Sequence, residues 1–183
     1  VNALEQEAHG GDVVLFRCRG MLSRLQRWVL RTQWDHVGVV GICGGPSGRL
    51  ELLESTHGGV HLYPLVERVR AYHDQGFASR VAFRRLRCPR PAESRARLEE
   101  FSRQVEGKRG SATANAIGET TTLPSFSSGK SEKTALSPSY LCSQLVGAAL
   151  SEMGVLRGGG KDLGWLWVVP GAFGQGGAVD SRL

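Results

Sequence analysis

No run in this sequence approaches the ~18 consecutive apolar residues that a membrane-spanning helix needs, which excludes a helical span within the residues given. Acids are scarce: 17 Asp and Glu stand against 23 Lys and Arg, leaving a net charge of +6. Lysine is scarcer still, because 19 of the 23 cationic residues are arginine. The four cysteines, Cys18, Cys43, Cys88 and Cys142, lie far apart, with no C-x-x-C and no close Cys/His pair. That spacing excludes the usual zinc frameworks, so neither a metal nor a cofactor is expected. A chain of 183 residues has no need of disulfide staples, and four free thiols in a reducing compartment such as the cytoplasm are the expectation. A signal-peptide pattern is also missing, but the sequence opens on Val1 rather than Met, so that lack excludes nothing. Internal repeats are absent.

What is present suffices for one packed domain. Hydrophobic residues make up 40% and charged residues 22%, which rules out wholesale disorder. The arginines come in blocks: Arg17, Arg19, Arg24, Arg27 and Arg31 have no acid among them, and Arg80, Arg84, Arg85, Arg87 and Arg90 repeat the pattern. Such blocks suit an anionic membrane surface, an acidic substrate or a nucleic acid. The plain alternative is a solvated basic surface. Nucleic acid is disfavoured, since no recognised binding motif accompanies the arginines.

Apolar periodicity predicts an α+β chain. Val13 to Phe16, Val37 to Cys43, Leu50 to Ser55 and Val60 to Tyr63 read as strands, with Gly44 to Gly48 and His57-Gly58-Gly59 as turns. Val81 to Leu86 alternates as an edge strand. Leu22, Leu25, Trp28 and Val29 recur at helical spacing and put Arg24, Arg27 and Arg31 on the wet side of that helix. A second helix starts after Pro64, a surface helix covers 92–106, and Tyr140 to Met153 forms the most apolar helix. Gly, Ser, Thr and Pro account for 18 of the 33 residues in 107–139, a composition that cannot order itself. A single domain over 10–173 is therefore expected, with 107–137 a flexible insertion, or a lid, and 1–9 and 174–183 loose termini. Trp165, Trp167 and Phe173 serve either as pocket walls or as core.

The chemistry concentrates on Cys142. With Ser139 as N-cap, Cys142 occupies the first helical turn, where the helix dipole favours a thiolate. The plainer alternative is a buried cysteine packed beside Leu141 and Leu145. A nucleophile needs a base, and His36 enters a strand immediately after Asp35. A hairpin turn centred near residue 45 places opposite residues at numbers summing to about 90, so Glu54 faces His36; a small register change admits Glu51, Ser55 or Thr56 instead.

The order His36, Glu54, Cys142 runs strand, strand, helix N-terminus. Gly11-Asp12-Val13-Val14, Asp35-His36-Val37-Gly38-Val39-Val40, Leu53-Glu54-Ser55 with Gly59-Val60, Pro64-Leu65 and Tyr140-Leu141-Cys142-Ser143-Gln144-Leu145-Val146 resemble the YiiX/YebB-like, circularly permuted branch of the NlpC-type papain-fold cysteine hydrolases. The resemblance covers residues 10–106 and 138–173. It implies a small antiparallel sheet packed against the nucleophile helix, and a Cys-His-polar triad acting on an amide, ester or thioester. Carried over, Cys142 is the nucleophile, His36 the base and Glu54 its orienter. The Cys142 backbone N–H, with Tyr140 or the Asp35 backbone, is the candidate oxyanion donor set. The substrate is an acylated amino acid, a peptide or a lipid, taken by hydrolysis or by acyl transfer. Gln144 departs from the acid that the family commonly carries after its Cys-Ser pair. A non-catalytic module on the same scaffold, holding anionic lipid or nucleic acid with its arginines, is the competing reading.

Overall fold

The computed structural model describes residues 6–43, 48–108, 141–156 and 170–175. Tyr140, Ser139, Trp165, Trp167 and nearly all of the expected insertion lie outside the described residues, as do the side chain of Cys43 and most of both termini.

Five strands form one antiparallel sheet: β1 (Val13–Cys18), β2 (His36–Cys43), β3 (Arg49–Thr56), β4 (Gly59–Pro64) and β5 (Ala78–Arg84), in spatial order β4-β3-β2-β1-β5. Among the described residues four helices with full bounds surround it, and the fold is α+β: α1 (Met21–Val29), α2 (Leu65–Asp74), α3 (Ala92–Val105) and α4 (Cys142–Glu152). The central strand, β2, is a continuous apolar run because both faces of the sheet are covered. Val13, Leu15, Val37, Val39 and Leu53 point to one face and meet Leu98, Phe101 and Val105 of α3 with Leu145, Val146, Ala149 and Leu150 of α4. On the other face Val14, Phe16, Val40 and Leu52 meet Leu65, Val69 and Tyr72 of α2. Each fully buried aliphatic side chain contributes roughly 1.5–3 kcal/mol, so the two clusters supply the main driving force. Phe173, in the short 3-10 turn Pro170–Phe173, completes the first cluster and is core, not a pocket wall.

Several expectations change. The edge strand β5 begins at Ala78, three residues before the expected start, and ends at Arg84. The helix over 92–105 is not merely superficial, since Leu98, Phe101 and Val105 are buried at i, i+3 and i+7. Residues before Gly10 belong to the fold: Ala8 is buried, and the His9 N–H donates to Asp12 Oδ2 at 2.8 Å. Asp12, wholly buried, also accepts from the Leu86 N–H at 2.8 Å and pairs with Arg90, fastening the chain start to the segment after β5.

The largest reversal concerns α1. Its apolar stripe faces water and none of its residues is buried. Arg27, expected on the wet side, turns inward to pair with Asp35 and to donate to the Cys18 carbonyl at 2.8 Å. Its side chain is only 10% exposed.

Candidate active site

His36 is the first residue of β2, level with Phe16 of β1. Its ring lies 5.6 Å from the Phe16 ring and 6.0 Å from the near-parallel ring of Tyr72, so it has little freedom to turn.

Glu54 is 0% exposed and is the hub of the site. Its Oε2 meets His36 Nε2 at 2.7 Å and accepts from the Tyr72 hydroxyl at 3.1 Å, while Oε1 accepts from Arg68 Nε at 2.5 Å. The β2–β3 register pairs Val39 with Leu53, two residues away from the expected pairing. Continued outward, it sets Glu54 across from Gly38, and His36 reaches the carboxylate along the diagonal, a distance a long side-chain pair spans easily. Burial works against the Glu54 charge, but His36 and Arg68 outweigh it and hold the carboxyl below its ordinary range. Arg68 is itself clasped, with its guanidinium 4.1 Å from the Tyr63 ring centre and 4.9 Å from that of Tyr72.

With Nε2 committed to Glu54, Nδ1 is the ring nitrogen left free of that bond, and the Cys142 side chain is near enough to act on the ring. Burial disfavours a charged ring, yet Cys142 and Glu54 together raise the His36 pKa from 6.5 to about 10. Both neighbours thus favour the protonated form of the ring. A cation within reach of a half-buried thiol is the setting in which cysteine becomes a nucleophile.

Cys142 is the first residue of α4, and the N-cap is Leu141 rather than Ser139. Gln144 Oε1 accepts the Leu141 N–H at 3.2 Å, satisfying one of the free donors at the helix start. Gln144 thus serves the helix end that carries Cys142. The Cys142 N–H belongs to the same set of donors that no helical carbonyl reaches.

Asp35 is not an oxyanion donor. Its N–H donates to the Phe16 carbonyl at 3.2 Å, and its carboxylate accepts the Cys18 N–H at 2.9 Å and pairs with Arg27. It anchors β1, where a register shift between Arg17 and Cys18 turns the chain beside the site. Cys18, Cys88 and Cys142 are unbridged. Burial and then the Asp35 carboxylate push the Cys18 thiol up to about 12, so it stays protonated at neutral pH. Among the described residues no group of three or more His, Cys, Asp or Glu side chains is placed to hold a metal ion.

Sequence reasoning brought His36, Glu54 and Cys142 forward, and the fold brings all three together. It missed Arg68 and Tyr72, whose spacing of four residues on α2 puts both on the face toward β3. The basic Arg68 amid the apolar positions of that helix was the available signal.

The fold is similar to that of YiiX. The crystal structure of the metalloprotein YiiX from Escherichia coli O157:H7, a DUF1105 protein, superposes with a TM-score of 0.57 at 15% identity, covering 82% of this chain and 69% of that one. No family model matches the sequence, and no curated protein matches it.

Proposed function

We propose that the chain is a cysteine-dependent hydrolase or acyltransferase on a circularly permuted papain-like scaffold. The observation that carries this reading is the buried His36–Glu54 hydrogen bond with the Cys142 side chain beside the ring, where a helix N-terminus, a strand entry and a neighbouring strand meet. The likeness to YiiX supports the scaffold part of the reading, because YiiX-like proteins share that permuted order.

In the proposed cycle the Cys142 thiolate adds to the carbonyl carbon of an amide, ester or thioester. The Cys142 N–H at the start of α4 donates to the oxyanion. His36 then gives its proton to the leaving amine, alcohol or thiol, and the C–X bond breaks to leave an S-acyl enzyme. The neutral ring next takes a proton from water, or from an acceptor nucleophile, whose attack releases the acyl group and restores the thiolate. Glu54 holds the ring orientation throughout and keeps its cationic form favourable, with Arg68 and Tyr72 fixing Glu54 in turn.

The deciding measurement is intact mass spectrometry after incubation with a panel of acyl esters, acyl thioesters and acyl amides. An added acyl mass that disappears in Cys142→Ala is the expected result. Iodoacetamide should label Cys142 ahead of Cys18, with His36→Ala removing the preference; equal labelling of the unbridged cysteines and no acyl adduct would overturn the reading. The basic cleft lined by Arg17, Arg19, Arg24 and Arg80 favours a second reading, a binding module for anionic ligands. It predicts ligand binding with no covalent adduct.

A further inference from the structure

We propose that α1 is an interfacial helix that seats this protein on an anionic lipid bilayer beside its candidate active site. A helix of a globular domain normally turns its apolar stripe inward. Here Met21, Leu22, Leu25, Trp28 and Val29 form a stripe that faces out, with Leu22 82% and Trp28 78% exposed. Every exposed large hydrophobic residue among the described ones lies either in residues 21–30 or at Phe77 and Val81. Phe77 lies beside the start of α1, because the Arg19 N–H donates to the Phe77 carbonyl at 2.8 Å. Exposed apolar residues normally lie scattered; five of them along one helical stripe mark an interaction surface.

The charge around the patch selects the occupant. Residues 17–31 contain five arginines and no acid. Arg17, Arg19, Arg24 and Arg80 line a cleft of about 760 Å³ that opens against Trp28. Exposed Trp and Leu together with a ring of arginines match the acyl and phosphate layers of an anionic membrane surface, which an amphipathic helix enters side-on. A basic nucleic-acid surface has no use for the leucines. Arg27 explains how the inverted orientation persists: its pair with buried Asp35 and its bond to the Cys18 carbonyl hold the polar side of α1 against the protein.

Cys18 lines the same cleft, and Asp35, next to His36 in the chain, accepts the Cys18 N–H and pairs with Arg27 of α1. The bilayer face therefore borders the strand entry that carries His36, and the substrate class becomes a membrane-resident anionic acyl compound. That assignment of substrate rests on the cysteine-hydrolase reading, whereas the docking itself does not.

The test is co-sedimentation of the full chain with vesicles of phosphatidylglycerol and phosphatidylcholine, set against pure phosphatidylcholine. It is run on the parent and on Cys142→Ala, so that a failure of chemistry and a failure of docking are distinguishable. The expected result is salt-sensitive binding to the anionic vesicles that Cys142→Ala leaves intact. Leu22→Ser with Trp28→Ser abolishes it, and Arg19→Gln with Arg24→Gln weakens it roughly tenfold or more. These residues are exposed, and unchanged circular dichroism confirms that the variants fold. Absence of binding at low salt would overturn the proposal, as would binding indifferent to Leu22 and Trp28. So would a dimer dispersed by Leu22→Ser in place of vesicle binding, preferential binding to duplex DNA, or strong exchange protection of residues 21–30 in the free monomer.

Discussion

Glu54→Gln keeps the shape of the hub and removes its charge, so it isolates what that charge does. The carboxylate accepts three hydrogen bonds, from His36, Tyr72 and Arg68. A glutamine has one acceptor oxygen, and its least costly placement leaves that oxygen with His36 and Tyr72. The new amide N–H₂ then confronts the Arg68 N–H, donor against donor. Removing one partner of a buried pair costs about 3–5 kcal/mol. Arg68 remains 26% exposed and keeps some hydration, which puts the expected loss near the lower end, about 3 kcal/mol. The pH dependence follows from the two shifts. Glu54 has a folded pKa below its ordinary 4.5, so its contribution is present above that value and is lost as pH falls through the lowered one. His36 has a folded pKa raised from 6.5 to about 10, so its contribution is complete below 6.5 and drains as pH rises toward 10. That second limb is worth at most on the order of 5 kcal/mol. Urea unfolding from pH 4 to 10 should therefore show the gap between parent and Glu54→Gln at its widest around pH 5–6.5, narrowing on both sides. A gap below about 1 kcal/mol, or one that does not vary with pH, would refute the argument that Glu54 is an ion holding a second ion.

Three further changes test the surroundings. Arg68→Met leaves Glu54 short of a cation and should cost about 2–4 kcal/mol in urea melts, while Arg68→Lys restores charge without the ring-stacked fork and recovers only part of it. Tyr72→Phe removes one hydroxyl donor and should cost about 1 kcal/mol, with a slower alkylation of Cys142 as the functional readout. Gly11 has φ +91°, and a Cβ there would lie 2.6 Å from Met153 Cε. Gly11→Ala should therefore lower stability by at least about 1–2 kcal/mol in calorimetry, and an unchanged Tm would contradict the tight contact between the start of β1 and the end of α4.

The strands were legible because each is a short apolar run cut by glycine-rich turns, and hairpin arithmetic tied His36 to Glu54 although the register was two residues off. It succeeded because side chains reach diagonally, so partner identity tolerates an error that pairing does not. For α1 the period located the stripe but could not say which side meets water. Orientation there depends on Arg27 finding Asp35 eight residues later in the chain, a contact that no local pattern encodes. The same applies to Arg68: its value lies in a carboxylate 14 residues earlier, on another element. Asp12 looked like part of a motif beside two glycines and is in fact a buried clamp on Leu86 and Arg90.

The His36 side of the candidate site is contiguous in a way that Cys142 is not. His36, Glu54, Arg68 and Tyr72 lie on β2, β3 and α2, all before residue 75, and Cys142 arrives on α4. Ahead of Cys142 in sequence, Lys108 is held to β4, where its carbonyl accepts the Val60 N–H at 2.8 Å. Severed between that point and Leu141, the protein would become two pieces, one holding His36, Glu54, Arg68 and Tyr72 and the other Cys142 on an apolar helix. Neither piece alone would hold the whole candidate site. Their rejoining would be driven by Leu145, Val146, Ala149 and Leu150 returning to the sheet, and acylation of Cys142 would then report that two polypeptides had met.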